Sequence, residues 1–265
     1  MVTNYYDRIA HLYDQTRWLT ELIAEEVTDF ILELVDAKSE TSFLEPGVGT
    51  GLNILPLVKR GYSVTGIDVS QEMLNQLSQK LDYIPHNLKL ICGDASQLSF
   101  PDQSFDVVLT LHMVHTVSNW QRFLDDIHGV LKPQGFYLNA QWITPPARME
   151  FENYFRAILS KYQQTQNSKQ TQRTIQYNVE EYFLKKGYQS NYLIAKTWIV
   201  SNKVEELLGF FKSRGYGLCW QVSDEIFHRI MEEFEVFCTE HYGSLSTELS
   251  SEAKFEIWAY TRSRD

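Results

Sequence analysis

The stretch Phe43-Leu44-Glu45-Pro46-Gly47-Val48-Gly49-Thr50-Gly51 constrains this chain more than any other. An apolar run ends in an acid, and three glycines then fall on alternate positions. Glycines so spaced let the backbone bend tightly and let a ligand approach it closely. A dinucleotide fingerprint, G-x-G-x-x-G, needs a small residue where this chain has Leu52. A P-loop needs Gly-Lys-Ser/Thr, which Leu52-Asn53 does not supply. What remains is an acid followed by G-x-G-x-G, and then a second apolar run, Ser63–Asp68, that also ends in an acid.

Around this loop, two periodicities alternate. Leu19, Leu22, Ile23, Val27, Phe30, Ile31 and Leu34 recur with helical period over residues 17–35. A helix over 52–60 follows the glycines, and Pro56 fits it only in the first turn, which places its start near Gly51 or Leu52. Strands are predicted at Ser63–Asp68, Leu88–Cys92, Phe105–Leu111 and Phe136–Ile143. Ser70 is expected to cap a helix whose Met73, Leu74, Leu77 and Leu81 share a face, and Asn119–Leu131 reads as another helix. The near-continuous apolar run at Phe105–Leu111 suits a strand covered on both faces. Such alternation predicts an α/β fold with a parallel, doubly wound sheet.

Beyond Thr144-Pro145-Pro146 the pattern changes. Residues 148–162 and 179–186 read as helices, separated by a polar tract, Gln163 to Thr174, with almost nothing to bury and therefore expected to be mobile. Further helices are predicted at Asn202–Lys212 and Ser223–His241, and a last strand at Lys254–Tyr260.

Residues 42–81, SFLEPGVGTGLNILPLVKRGYSVTGIDVSQEMLNQLSQKL, resemble the first two motifs of the class I S-adenosylmethionine-dependent methyltransferases. The resemblance continues through Gly93-Asp94-Ala95, Phe105–Thr110 and Leu131-Lys132-Pro133-Gln134-Gly135, and so covers roughly residues 5–144. Gln134, where the family commonly has glycine, and Pro46 are its departures. The resemblance implies a mostly parallel seven-stranded, Rossmann-like sheet. Residues 1–37 would be an N-terminal helical lid, 38–144 plus 251–265 the cofactor-binding core, and 145–250 a helical cap insertion ahead of a final antiparallel edge strand.

It also implies roles. Glu45 would organise the site near the amino group of the cofactor's methionine moiety, with Gly47, Gly49 and Gly51 forming the loop. Asp68 would accept the ribose hydroxyls, although an acid there can also cap the next helix. Val69 and Met73 would pack on the adenine, and Asp94 with Ala95 would read its amino group; a turn-forming Asp is the plainer account. Leu111 closes this set, and Tyr13 and Arg17 would come from the lid, Arg17 pairing with the methionine carboxylate. After Leu111 the chain reads His112-Met113-Val114-His115, lacking the Asn/Asp-Pro-Pro-Tyr of enzymes that methylate base or amide nitrogens. His112 and His115 are the candidate catalytic residues, as base or as hydrogen-bonding groups, with a structural role in the loop the alternative for His112 and the plainer account of His115. Rings of the insertion (Tyr154, Phe155, Tyr162, Tyr182, Phe183, Tyr188 and Trp198) are expected to wall a pocket for the acceptor.

Composition narrows the partners. The net charge is −10 and no basic run occurs, which argues against nucleic acid, because that partner needs clustered Lys and Arg. Cys92, Cys219 and Cys238 have no C-x-x-C or His spacing for a metal, and their odd number suits a reducing compartment. With no signal-like or membrane-length apolar run, a cytoplasmic protein is expected. The function expected is methyl transfer from S-adenosylmethionine to a small organic acceptor. The alternatives are an RNA- or quinone-modifying methyltransferase of the same fold, or a cofactor-binding module without turnover.

Overall fold

Strands β1 (Ser42–Pro46), β2 (Ser63–Asp68), β3 (Leu88–Cys92), β4 (Phe105–Leu111) and β5 (Leu131–Ile143) pair in parallel, as a strand–helix alternation requires. The computed structural model describes residues 5–164, 178–220 and 222–262. Two more strands, β6 (Tyr188–Lys203) and β7 (Glu248–Arg262), extend the sheet to seven in the order β3-β2-β1-β4-β5-β7-β6. β7 is antiparallel to both its neighbours.

Side chains alternate across the sheet because successive residues of a strand point to opposite faces. Phe43, Val107, Leu109 and Leu138 enter one core, and Leu44, Val108 and Tyr137 enter the other. Helices α2 (Glu21–Leu34), α3 (Leu55–Lys59) and α4 (Gln71–Gln79) cover the first face, whereas α5 (Trp120–Val130) and α7 (Val179–Lys185) cover the second. Thr20, Ser70, Asn119 and Asn178 cap four of these helices, each accepting the backbone N–H three residues on. Such a cap contributes about 1 kcal/mol. Pro56 lies in the first turn of α3, as expected. Regular helix begins at Leu55, later than Gly51 or Leu52, because residues 52–54 are taken up in turns closed onto the Gly51 carbonyl.

Two expectations change at the C-terminal half. The last strand is not at the edge; β6, which the sequence pattern does not reveal, lies outside it. The predicted cap at 145–250 is also not continuous, since α7 and β6 belong to the sheet layers. The antiparallel ribbon of β6 and β7 runs on past the end of β5 to the pair Lys203–Glu248. Helices α8 (Val204–Lys212) and α9 (Asp224–Tyr242) hang from that end and pack with α6 (Pro146–Gln164) around a separate core of Phe151, Phe155, Leu208, Phe211, Ile230 and Phe234. The tract predicted to be mobile falls almost wholly outside the described residues. Before all of this, α1 (Tyr5–Ile9) and two single 3-10 turns form the N-terminal segment. Among the described residues, no helix is long and apolar enough to cross a membrane.

Candidate active site

The sheet order reverses between β1 and β4, and a cavity of about 750 Å³ opens there at the carboxyl ends of the parallel strands. Open α/β sheets bind ligands at such switch points. The volume sits in the upper part of the usual range of about 300–1,000 Å³, enough for two small molecules side by side.

Three loops build one half. After β1 the glycine loop turns with Gly47, Gly49 and Gly51 all at positive φ. A Cβ on Gly47 would lie 2.7 Å from Met113 Sδ, whereas Gly49 faces open space in the cavity wall. Asp68, at the end of β2, is 9% exposed. Its Oδ2 accepts the Gly49 N–H and its Oδ1 the Ser70 N–H, both at 2.8 Å, so one carboxylate ties the glycine loop to the start of α4. Burial raises its pKa, and the two backbone bonds oppose that rise. Each oxygen keeps a lone pair for a further donor. Val69, exposed on the cavity wall, and buried Met73 follow, and Asp94 lines the wall from the turn after β3, where it also accepts the Ser96 N–H.

His112 and Met113 close the floor between the halves. His112 sits in the left-handed region at φ 51° and its ring packs 5.6 Å from that of Trp142. The Trp142 N–H donates to His112 Nε2 at 3.3 Å, so the neutral ring carries its proton on Nδ1. Burial, then the charges of His115 and Arg17, push its pKa down to about 4. The residue is therefore a hydrogen-bond donor near neutral pH and a poor base. Burial also lowers the pKa of His115.

The N-terminal segment (Tyr6, Tyr13, Arg17, Trp18) runs along both halves, and the other half is closed by the cap, from which Glu152, Tyr216 and Trp220 face in. The two walls meet: Tyr6 packs edge-on to Trp220 at 5.3 Å, and Arg148 Nη2 donates to the Thr16 carbonyl and to the Tyr216 hydroxyl.

Residues 44–139 match the family described as "Methyltransferase domain". This match, the relatives below and the fold support a class I S-adenosylmethionine-dependent methyltransferase. It is 32% identical over 132 residues to a demethylmenaquinone methyltransferase of Tropheryma whipplei, covering 49% of this chain and 54% of that protein. It is 38% identical over 94 residues to a phosphatidylethanolamine N-methyltransferase of Cereibacter sphaeroides, covering 35% and 46% of the two. The chain thus spans about half the length of these curated relatives. The fold also resembles a Haemonchus contortus phosphoethanolamine N-methyltransferase solved with S-adenosylhomocysteine, with a TM-score of 0.54 at 16% identity over 99% of this chain and 59% of that one.

Within the methyltransferase domain the cavity gathers Gly47, Gly49, Asp68, Val69, Met73, Asp94, Ala95, Leu111, His112 and His115, together with Tyr13 and Arg17. Glu45 and Gly51 stand apart from that wall. Glu45 lies beneath the loop, 1% exposed, with one oxygen 3.4 Å from Asn53 Nδ2 and the other without a partner. Burial raises its pKa to about 8. Gly51 serves packing, because a Cβ there would meet Leu77 at 2.6 Å.

The ring wall differs from expectation. Tyr154 and Phe155 fill the cap core, Tyr182, Phe183 and Tyr188 pack on the sheet, Tyr162 lies on the outer face of the cap, and Trp198 donates to the Trp18 carbonyl. The cavity takes its rings from Tyr6, Tyr13, Trp18, Trp142, Tyr216 and Trp220 instead. Trp142 had a positional signal, the carboxyl end of a core strand; Glu152, Tyr216 and Trp220 had none without the path of the cap.

Proposed function

We propose that this protein transfers the methyl group of S-adenosylmethionine to a small organic acceptor enclosed between the sheet and the cap. The observation that carries this reading is the single cavity whose one half has the glycine loop and Asp68 and whose other half is lined by rings and a few polar groups. The residues present fit the cofactor: Gly49 leaves an unfilled cradle, Asp68 can accept ribose hydroxyls, and Val69 and Met73 offer apolar faces beside Asp94 and Ala95. Arg17 lies 4.1 Å over the Tyr13 ring and makes no ion pair among the described residues, so it can take the methionine carboxylate. Glu45 would act through the loop it supports, not by direct contact.

S-adenosylmethionine, when bound, supplies a methyl group already activated on a sulfonium. The protein's own work is then alignment and exclusion of water. His112 Nδ1–H would orient the acceptor atom, and the rings would hold its body. The relatives named above act, by their names, on a quinone precursor and on a phospholipid, and an acceptor with an apolar body suits the ring-lined half. That the cavity, at about 750 Å³, extends past the glycine loop toward the cap also favours turnover over a cofactor-binding module.

The test has two arms. Calorimetry with S-adenosylhomocysteine should show binding to the wild type and a loss of roughly 1–3 kcal/mol in Asp68→Ala, because ribose donors lose their acceptor. Methyl-labelled cofactor with a fractionated cell extract should label a low-molecular-weight product. Label confined to the RNA or protein fractions would overturn the small-acceptor reading.

A further inference from the structure

One charged group of the cavity is used by nothing above. Glu152, on α6, faces the acceptor half with its side chain 17% exposed. Among the described residues its carboxylate makes one long ion pair, 3.8 Å to Arg156 Nη2, and no hydrogen bond. A carboxylate so far withdrawn from water and so weakly partnered keeps most of its capacity to accept hydrogen bonds. Among the described residues, the other charged or imidazole side chains on this side of the cavity are Arg17, His112 and His115, beside the phenols of Tyr6, Tyr13 and Tyr216, and His112 already accepts a backbone N–H on Nε2.

We propose that Glu152 is the group that recognises the methyl acceptor, and that the acceptor is a planar molecule presenting a hydroxyl to it. This rests on the reading of the site as a methyltransferase. The surrounding charges choose the hydroxyl. Arg156, Arg148 and Arg17 all act on Glu152; with Arg17 engaged by the methionine carboxylate, a protonated amine brought beside Glu152 would still be repelled by the guanidinium groups of Arg148 and Arg156. A carboxylate would be repelled by Glu152 itself. A hydroxyl donates to Glu152 and develops negative charge as it reacts, which the guanidinium groups stabilise. The planar body follows from the walls: the cavity is lined by Trp18 and Trp142, whose rings lie 6.2 Å apart with Trp142 also against His112, and by Tyr6, which packs against Trp220. As the oxygen–carbon bond forms, the carbon–sulfur bond breaks and sulfur keeps the electron pair. The hydroxyl proton passes to the Glu152 carboxylate and from there to water. Burial raises the pKa of Glu152 above the ordinary carboxylate range, which suits it to hold that proton.

The experiment uses probes that differ by one donor. The protein, saturated with S-adenosylhomocysteine, is titrated with 2-naphthol and with 2-methoxynaphthalene, followed by tryptophan fluorescence. The wild type should prefer the naphthol by about 10–100-fold, the range expected for a hydrogen bond to a charged group. Glu152→Leu should reduce that preference to about twofold or less while S-adenosylhomocysteine affinity stays unchanged, which also shows that the variant is folded. Glu152→Gln, which keeps an acceptor oxygen, should retain an intermediate preference. Equal binding of both probes to the wild type, or an undiminished preference in Glu152→Leu, would overturn the inference and leave the cofactor reading standing. Failure of the wild type to bind S-adenosylhomocysteine would remove both.

Discussion

Asp68 and Glu45 are two acids of the same loop region with opposite circumstances. Asp68 has backbone N–H partners on both oxygens and faces the cavity, whereas Glu45 is sealed beneath it with one orphaned oxygen. Desolvation without compensation favours the neutral acid, hence a pKa of about 8 for Glu45. The sign for stability follows. Between pH 4.5 and about 8 the folded protein holds this proton and the unfolded chain releases it, so stability falls as pH rises through that window. At roughly 1.4 kcal/mol per pKa unit the loss is of the order of a few kcal/mol. Urea unfolding without cofactor should therefore show wild-type stability declining more steeply across this window than that of Glu45→Gln; parallel curves would disprove the neutral acid. His112 makes a second case. With its Nε2 occupied and its pKa near 4, it has no titration to contribute between pH 6 and 8. Glutamine at 112 should raise the acceptor's KM about tenfold or more, leave kcat within a few-fold, and leave the pH–rate profile unmoved. A kcat loss of about 10²-fold or more would restore it as a base.

At the scale of elements, the parallel core was legible because its signals are local. Ser63–Asp68, Leu88–Cys92 and Phe105–Leu111 are apolar runs of strand length between turn residues, and the strands have those bounds. Ser70 accepts the Met73 N–H, as its place before an apolar period suggests. β6 was not legible. Its burial alternates only partly and is broken by a register shift between Ile194 and Lys196, so its strand character comes from pairing with β7, more than fifty residues away at Tyr192–Trp258. Long-range pairing leaves little periodicity in one strand read alone. The departure at Gln134 now has a physical meaning. This residue sits at φ 67°, a left-handed conformation in which glycine is unstrained, and at Gly135 a Cβ would lie 2.9 Å from the Asp106 carbonyl. Gln134→Gly should remove strain of about 1 kcal/mol, partly offset by the greater freedom of glycine in the unfolded chain. A small rise in melting temperature is expected; a fall would mean that the glutamine side chain has a stabilising contact.

For the whole molecule, three bodies surround one cavity: the sheet ends below, the N-terminal segment on one side, and the cap on the other. The half of the cavity around the glycine loop carries motif signals because its residues lie within short, ordered stretches. The half toward the cap carries none, because Trp18, Trp142, Glu152, Tyr216 and Trp220 meet only after the chain has crossed the sheet and returned. The enclosure also sets the kinetics. The N-terminal segment is fastened at two points, to the start of α4 and to the glycine loop. Asp7 accepts the Ser70 hydroxyl, and Asp14 accepts the Thr50 hydroxyl at 2.5 Å while pairing with Lys80, whose Nζ also donates to the Thr50 carbonyl at 2.8 Å. Tyr13 and Arg17, on either side of Asp14 in this segment, line the cavity, so opening the fastening would widen the way out for a ligand beside the glycine loop. Asp14 and Lys80 are about one-third exposed, and a pair so screened contributes roughly 1 kcal/mol at most, with the Thr50 bond adding a similar amount. Asp14→Ala should thus speed release of S-adenosylhomocysteine by about three- to thirtyfold in stopped-flow displacement. Because the open form also admits ligand faster, the equilibrium affinity should fall by less than the release rate rises. Unchanged release with weakened affinity would place Asp14 in the binding of the ligand itself and not in the fastening of the lid.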